Sequence, residues 1–218
     1  YTNKNKWETT QIGREIESHN VDFFPDLKFK EIAFFNIPEY EGSKNSASLS
    51  DCKIRALLYS FHHNNLPRIA DIGTFNLMPT RRESFKIIEM VCKELLHNGI
   101  TPFIIGGGHD LSYAVYKAYA SLERFVALTV VDSKFDIGLE DDNLAAFSHL
   151  GKMISHKPSF LFHYTNLGYQ SYFVSNIAND MLSAMNFDSI RLGDLKANLN
   201  EVEPIMRNTD FLSFDISA

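Results

Sequence analysis

Short apolar runs alternate along this sequence with stretches that have helical spacing, and this order restricts the fold more than any other feature. The apolar runs predict strands at 31–37, 69–75, 101–105, 125–131, 160–168, 189–192 and 209–214. The stretches between them predict helices at 51–63, 80–99, 144–154, 175–185 and 200–207. This alternation predicts an α/β protein whose mostly parallel sheet is covered by helices on both faces.

One predicted helix carries both a start and a stop signal. Thr80-Arg81-Arg82-Glu83 matches the capping box, in which a hydroxyl and a carboxylate accept hydrogen bonds from the first free amides of a helix. Gly99 follows the last apolar position, where a C-terminal glycine is typical. These signals predict the helix at 80–99 from local chemistry alone.

The composition excludes several classes of protein. Hydrophobic residues make up 44% of the 218 residues and charged residues 22%, which excludes a disordered or fibrous chain. No apolar run approaches the roughly 20 residues of a membrane helix, so we expect no membrane association. The net charge of −6 argues against nucleic acid as a partner. Two cysteines, Cys52 and Cys92, are too few for a disulfide framework and favour a cytoplasmic location.

The chain ends suggest how the domain is bounded. Residues 1–28 are polar and without a clear period, so we interpret them as an irregular N-terminal arm, and residues 29–218 as one α/β domain. The sequence starts at Tyr1 without a methionine and stops at Ala218, a few residues after a strand-like run. We therefore expect the domain to be incomplete at its C-terminus and to belong to a longer chain.

Polar residues follow three of the predicted strands. Gly106-Gly107-Gly108-His109-Asp110 comes after the run at 101–105, Asp132-Ser133-Lys134-Phe135-Asp136 after that at 125–131, and Asp215-Ile216-Ser217 after that at 209–214. Ligands of open α/β sheets bind at the carboxyl ends of the strands, so neighbouring strands would bring one imidazole and three carboxylates together. Carboxylates suit Mn²⁺ or Mg²⁺, and imidazole favours transition metals. The sequence therefore predicts a metal site at this edge.

Each stretch also has a structural interpretation that the residues alone leave open. The three glycines can form a tight strand-to-helix connection with His109 as ordinary polar surface, and Asp132 can be a helix N-cap. A dinucleotide-binding oxidoreductase is disfavoured because Leu111 stands where the glycine fingerprint requires its third glycine.

In this order the three stretches resemble the three signatures of the ureohydrolases, the superfamily of arginase, agmatinase and formimidoylglutamase. Ser148-His149-Leu150-Gly151 also resembles the Ser-His-Gly stretch of that superfamily, whose histidine lies beside the substrate. The resemblance covers the chain from about Glu31 to its end. It implies a three-layer α/β/α sandwich and a binuclear Mn²⁺ centre that hydrolyses C–N bonds of linear amidines. It further implies catalytic roles for His149, as a proton shuttle, and for Asp136.

The resemblance also implies which ligands are present and which are replaced. One metal would be held by His109, Asp132, Asp136 and Asp215, all of which are in the sequence. The second metal would share Asp132 and Asp215, but its two private ligand positions carry Lys134 and Ser217. We therefore expect at most one Mn²⁺ per chain.

Lys134 is the more informative of the two replacements. An ammonium has three donors and no lone pair, so it cannot coordinate a metal. Nearby carboxylates would favour its charged form, at roughly 4 kcal/mol per pair for an effective dielectric of 20. We therefore expect the Lys134 ammonium to lie where the second metal would be; the alternative is that it points to solvent.

Two classes of function follow from the resemblance. The first is an amidine hydrolase, formimidoylglutamase- or arginase-like, with an impaired metal centre. The second is a catalytically inactive relative that binds a ligand or takes part in assembly. In either class we expect a small guanidino or formimino compound as ligand and a homo-oligomer as the assembly, whereas His149 has the alternative of a surface helix residue.

Overall fold

The computed structural model describes residues 4–43, 51–138 and 144–216. The chain forms two compact units, Tyr1–Gly107 and Gly108–Ala218, and each contains one four-stranded sheet whose strands all pair in parallel. Within the described residues, no helix has the length and apolar character needed to cross a membrane.

The first unit builds its sheet in the order β1-β3-β2-β4. Its elements are a 3-10 helix at Lys4–Lys6, α1 (Ile12–Glu15), β1 (Glu17–Ser18), β2 (Ile32–Asn36), α2 (Asp51–Ser60), β3 (Ile69–Thr74), α3 (Arg81–His97) and β4 (Thr101–Ile105). Strand β2 lies between two neighbours and is almost completely buried, as a central parallel strand must be. Helix α3 begins after Thr80 with the predicted capping box, in which Thr80 and Glu83 bond each other's backbone amides.

The predicted N-terminal arm contains short elements in its described part, residues 4–28. Ile12 of α1 and Ile16, which directly follows α1, are buried in a cluster with Tyr59 of α2, and β1 pairs with β3. Burial of these two isoleucines and the pairing of β1 anchor the arm to the first unit, although Val21, Phe23 and Phe24 of the arm are exposed. The division of the chain at residue 28 stays a prediction.

The second unit builds its sheet in the order β7-β6-β5-β8. Its elements are α4 (Leu111–Ser121), β5 (Val126–Val131), α5 (His149–Ser155), β6 (Leu161–Tyr169), α6 (Asn176–Ala184), β7 (Asp188–Arg191), α7 (Leu192–Ala197), a 3-10 helix at Leu199–Glu201, α8 (Val202–Arg207) and β8 (Phe211–Phe214). Every predicted strand is present within two residues of its predicted bounds, whereas α5 starts only at His149 and α4 and α7 were not predicted.

The core of the second unit lies between β5 and the helices around it. Val126, Leu128 and Val130 alternate along β5 and are buried in one cluster with side chains of α4, α5, β6 and α6. Since β5 has a parallel neighbour on each side, its carboxyl end and that of β8 lie next to each other. This arrangement positions the polar residues that follow the two strands.

Candidate metal centre

His109 lies among three carboxylates that the sequence predicts as metal ligands, those of Asp132, Asp136 and Asp215. Its Nδ1 atom is 3.2 Å from Oδ2 of Asp132, 3.1 Å from Oδ2 of Asp136 and 3.8 Å from Oδ2 of Asp215. Almost all of the His109 side chain is buried, as are those of Asp132 and Asp136, whereas Asp215 is one quarter exposed. The four predicted ligands therefore come together at one point of the second unit.

The sheet itself positions two of these carboxylates. Asp132 directly follows β5 and Asp215 directly follows β8, its parallel neighbour. The backbone continues the pairing for one more residue, because the Asp215 amide donates to the carbonyl of Val131 at 3.0 Å and the Asp132 amide to that of Leu167 at 3.2 Å. The extended pairing holds the two carboxylates at the same edge of the sheet.

Asp136 reaches the cluster through an unfavourable backbone conformation. Its φ of 50° lies in the left-handed region, which non-glycine residues adopt rarely. The Asp136 carbonyl accepts a hydrogen bond from the amide of Leu150 in α5 at 3.1 Å. Backbone strain of this kind persists where the surroundings fix it, and it concentrates at functional sites.

Two glycines allow α5 to approach the loop that carries Asp136. A Cβ atom on Gly151 would lie 2.0 Å from the carbonyl oxygen of Ile137. A Cβ atom on Gly138 would lie 2.2 Å from Cβ of Ser148, and Gly138 also has a φ of 59°. A side chain at either position would push the start of α5 away from the loop, so these glycines fix where His149 lies.

His149 is 1% exposed, so the alternative of a surface helix residue is wrong. Its Nδ1 atom is 2.8 Å from the carbonyl oxygen of Ala146 and 3.8 Å from Oδ2 of Asp136, and its ring centroid is 4.3 Å from that of His109. A nitrogen that close to a carbonyl oxygen must carry the proton and donate, which leaves Nε2 as the basic nitrogen. The proton-shuttle role of His149 stays a prediction.

The environment perturbs the pKa of each group in the cluster. Burial lowers the pKa of His109, but hydrogen bonds to Asp132 and Asp136 outweigh it and raise that pKa to about 9. Burial, together with the nearby charge of His109, lowers the pKa of His149 to about 3. Burial also raises the pKa of Asp136, whereas for Asp132 the hydrogen bond from His109 overcomes burial and lowers the pKa. Without a cation, the protonated His109 is therefore the positive charge that faces the carboxylates.

The cluster fits a divalent cation by its donor chemistry. Two overlapping groups of donors each lie within 4.8 Å of one another: His109 with Asp132 and Asp215, and His109 with Asp136 and His149. Carboxylate oxygens with imidazole nitrogen are ligands that Mn²⁺ accepts. Several buried carboxylates in one place are costly unless a cation compensates them. The described residues thus fit a divalent cation.

The family model of the arginase family matches residues 44–218, which is most of the chain. This chain belongs to the arginase family. The match confirms the predicted membership of the ureohydrolase superfamily, and solved structures of similar fold confirm the predicted arginase-like α/β fold. No curated protein matches the chain significantly.

Solved structures of arginase-family proteins resemble the chain at low sequence identity. Trypanosoma cruzi formiminoglutamase with Mn²⁺ has 18% identity and a TM-score of 0.76, over 94% of this chain and 74% of that one. Bacillus subtilis formimidoylglutamase has 18% identity and a TM-score of 0.73, over 94% and 69%. The agmatine ureohydrolase of Thermoplasma volcanium has 17% identity and a TM-score of 0.65, over 97% and 72%. At these identities the likeness shows the fold.

Lys134 of this arginase-family chain does not lie among the carboxylates, so its predicted internal position is wrong. Its side chain is exposed, and Nζ lies 5.5 Å from the ring centroid of Phe173. The backbone explains this, because the Lys134 amide donates to Oδ1 of Asp132 at 2.9 Å and its carbonyl accepts from Asn166 at 2.9 Å. These bonds fix the loop with the side chain outward, where water solvates the ammonium. Ser217, the second altered position, lies outside the described residues.

Sequence reasoning missed two serines that orient His109. Oγ of Ser213 is 2.9 Å from Nε2 of His109, and Oγ of Ser112 is 2.7 Å from Oγ of Ser213. A bond from Nε2–H to Ser213 would leave Nδ1 free to bind a metal, which is the usual arrangement behind a ligating histidine. The signal was available in strand alternation, since Ser213 and Asp215 are two residues apart and share one face.

Proposed function

We propose that this chain is a metal-dependent hydrolase of linear amidines, formimidoylglutamase- or arginase-like, that works with a single Mn²⁺. The observation that carries the proposal is the convergence of three carboxylates on Nδ1 of His109 within 3.8 Å. His109, Asp132, Asp136 and Asp215 would hold the ion. When bound, the ion would supply Lewis-acid activation of a water and of the amidine group.

The protein groups around the ion would then orient the substrate and move protons. Nε2 of His149 is the unprotonated nitrogen of a neutral imidazole whose pKa lies near 3, so it can accept a hydrogen bond from the attacking water and carry its proton only transiently to the leaving amine. Asp136 lies 3.8 Å from His149 Nδ1 and is hydrogen-bonded to His109, so it links the ligand set to the proton carrier. Burial of both groups keeps bulk water from competing for these bonds.

The test is hydrolysis by the Mn²⁺-loaded protein. L-arginine, agmatine and N-formimidoyl-L-glutamate are offered in turn, and release of urea or formamide is measured. The proposal predicts turnover of one of them within the usual enzyme range of about 1–10³ s⁻¹. The Asp132→Asn variant is the matched control, since it keeps the shape of the side chain and loses a ligand charge.

A second candidate function is a catalytically inactive family member that binds a small ligand or takes part in assembly. It is favoured by Lys134, which stands at an altered ligand position and whose side chain points away from the carboxylates. It predicts no release above that of the Asp132→Asn variant for any of the three compounds. We further propose a cytoplasmic homo-oligomer with no nucleic-acid or membrane partner, which sedimentation and cell fractionation test.

A further inference from the structure

Asn166 is a polar residue in the buried middle of β6. None of its surface is exposed, and its neighbours Thr165 and Leu167 are 3% and 2% exposed. Within the part of the chain that the structure describes, its Oδ1 atom accepts no hydrogen bond. An amide in a protein core costs free energy unless hydrogen bonds compensate it, so the bond that its Nδ2 atom makes is the informative one.

That bond connects the core of β6 to the loop of the candidate metal centre. Nδ2 of Asn166 donates to the carbonyl oxygen of Lys134 at 2.9 Å. Lys134 lies on the loop after β5, between the candidate ligands Asp132 and Asp136. Because the donor is itself held by the packing of a buried strand, it restricts the rotation of the Lys134 carbonyl and of the peptide groups beside it.

The amide of Lys134 contacts one of these candidate ligands directly. It donates to Oδ1 of Asp132 at 2.9 Å, which closes an Asx turn over two residues. Oδ2 of the same carboxylate lies 3.2 Å from Nδ1 of His109. The two oxygens of Asp132 therefore differ in what they contact, because the loop holds Oδ1 whereas Oδ2 faces the candidate metal centre.

The residues that precede Lys134 in this loop are attached to β6 and its end by backbone bonds. The amide of Asp132 donates to a carbonyl of β6 at 3.2 Å, and the carbonyl of Ser133 accepts from the amide of Gln170 at 2.9 Å. At Lys134 the donor is the side chain of Asn166 instead. This is therefore the one of these three attachments that a substitution can remove while the backbone bonds remain.

We propose that Asn166 is a positioning residue, whose side-chain amide fixes the Lys134 peptide and so holds Oδ2 of Asp132 toward His109. It acts through Asp132 and has no part in bond breaking. The inference rests on the proposed function and adds to it a residue that supports a metal ligand from behind. Removal of such an outer hydrogen bond typically lowers metal affinity by about 10- to 100-fold.

The experiment removes this donor in two ways. Asn166→Leu replaces the amide with little change in the size of the side chain, and Asn166→Ala removes it without any added bulk. Thr165→Val is the matched control, since it removes a buried hydroxyl from the neighbouring residue of β6, whose side chain lies on the opposite face of the sheet. Circular dichroism checks that the variants fold, and urea unfolding measures their stability.

Mn²⁺ affinity is measured by titration calorimetry. It is expected to fall by about 10- to 100-fold in Asn166→Leu and Asn166→Ala and to stay within about twofold of wild type in Thr165→Val. A residue that only stabilised the fold would lower the stability of the Asn166 variants without this difference in Mn²⁺ affinity. Equal Mn²⁺ affinities in the three variants would therefore overturn the inference.

A second measurement uses the metal-free protein. Hydrogen exchange of the Lys134 amide, followed by NMR, should be about fivefold faster in Asn166→Leu than in wild type, because the loss of one hydrogen bond loosens the loop. The amide of Val126, which donates to the carbonyl of Phe160 at the other end of β5, should keep its rate. An unchanged rate at Lys134, or an equal rise at both amides, would overturn the inference.

The two measurements separate this inference from the proposed function. If wild type binds no Mn²⁺, the proposed function fails, and the exchange rates of the Lys134 amide alone decide the inference. If wild type binds Mn²⁺ and hydrolyses one of the three compounds, but the Asn166 variants bind Mn²⁺ equally well, the inference fails and the proposed function stands.

Discussion

The described residues of each unit include a buried polar cluster, and the two clusters are built in opposite ways. In the first unit, Asp71 receives two hydrogen bonds from Arg55, at 2.7 and 3.1 Å, and one each from the hydroxyl of Tyr59 at 2.7 Å and the amide of Gly73 at 2.8 Å. One negative charge meets one positive charge, and both oxygens of the carboxylate are used. Burial and the nearby charge of Asp71 raise the pKa of Tyr59, so the hydroxyl keeps its proton and donates.

The cluster of the second unit has more negative charge than its own residues compensate. Three carboxyl groups face a single charged imidazolium, that of His109, because burial keeps His149 neutral. The Arg55–Asp71 pair connects α2 to β3 and needs no ligand. The His109 cluster has negative charge left over for a bound cation to compensate, so the difference is that between a structural ion pair and a candidate binding site.

The largest expected effect is a loss of stability when the buried Arg55–Asp71 pair is broken. Asp71→Asn should lower the free energy of unfolding of the first unit by about 3–5 kcal/mol, because it leaves a buried guanidinium without its partner. Mn²⁺ affinity should not change. Urea unfolding and calorimetry measure the two quantities. Glu31→Gln, which removes an exposed pair with Arg68, is the control and should change stability little. Loss of Mn²⁺ affinity in Asp71→Asn would contradict the assignment of the Arg55–Asp71 pair as purely structural.

The reverse pattern is expected in the second cluster. Asp132→Asn should weaken Mn²⁺ binding by about 100-fold or more, since it removes a ligand charge. The metal-free variant should lose less stability than Asp71→Asn, because the lowered pKa of Asp132 means that its charge stabilises the protonated His109, but two other carboxyl groups remain beside that histidine. Asp180→Asn, an exposed carboxylate on α6, is the control and should bind Mn²⁺ normally. Unchanged Mn²⁺ affinity in Asp132→Asn would rule out this residue as a ligand.

Gly151→Ala tests whether the packing of α5 supports the metal centre. The new Cβ would lie 2.0 Å from the Ile137 carbonyl, so the helix or the loop must move, at a cost of about 1–3 kcal/mol. Mn²⁺ binding should weaken as well, since Asp136 precedes Ile137. Gly193→Ala in α7, whose Cβ would meet nothing within 4 Å, should be neutral or stabilising. Equal stability and equal Mn²⁺ affinity of the two variants would contradict the close approach of α5 to the loop that carries Asp136.

The smallest effect is expected at the start of α3. Thr80→Ala removes the side-chain half of the capping box and should lower the free energy of unfolding by about 1 kcal/mol. Thr80→Ser keeps the hydroxyl and should restore most of it. Neither variant should alter Mn²⁺ affinity, because α3 belongs to the first unit. Calorimetric unfolding and Mn²⁺ titration together check both statements.

Local signals were enough to predict much of this molecule. The capping box at Thr80 acts within one helical turn, and the strand ends at Asp132 and Asp215 follow from apolar runs that stop at a carboxylate. Helix α4 was missed because most of it is buried, so it lacks the polar face that marks an amphipathic helix.

The parts that the sequence did not predict depend on contacts between distant residues. The burial of His149 follows from the fit of Gly151 against Ile137, which no periodicity encodes. The direction of Lys134 follows from its backbone bonds to Asp132 and Asn166. Coulomb attraction to the carboxylates favours an internal position for the Lys134 ammonium. The backbone geometry of the loop directs the side chain outward instead.

The central proposal is that this arginase-family chain binds one metal ion and no more. The most direct measurement is the Mn²⁺ content at saturation, by elemental analysis after equilibrium dialysis, of wild type and of the Lys134→His/Ser217→Asp double variant. The account predicts one ion per chain for wild type and for the double variant, because the backbone bonds of Lys134 direct the side chain at this position outward. Two ions per chain in wild type would contradict it.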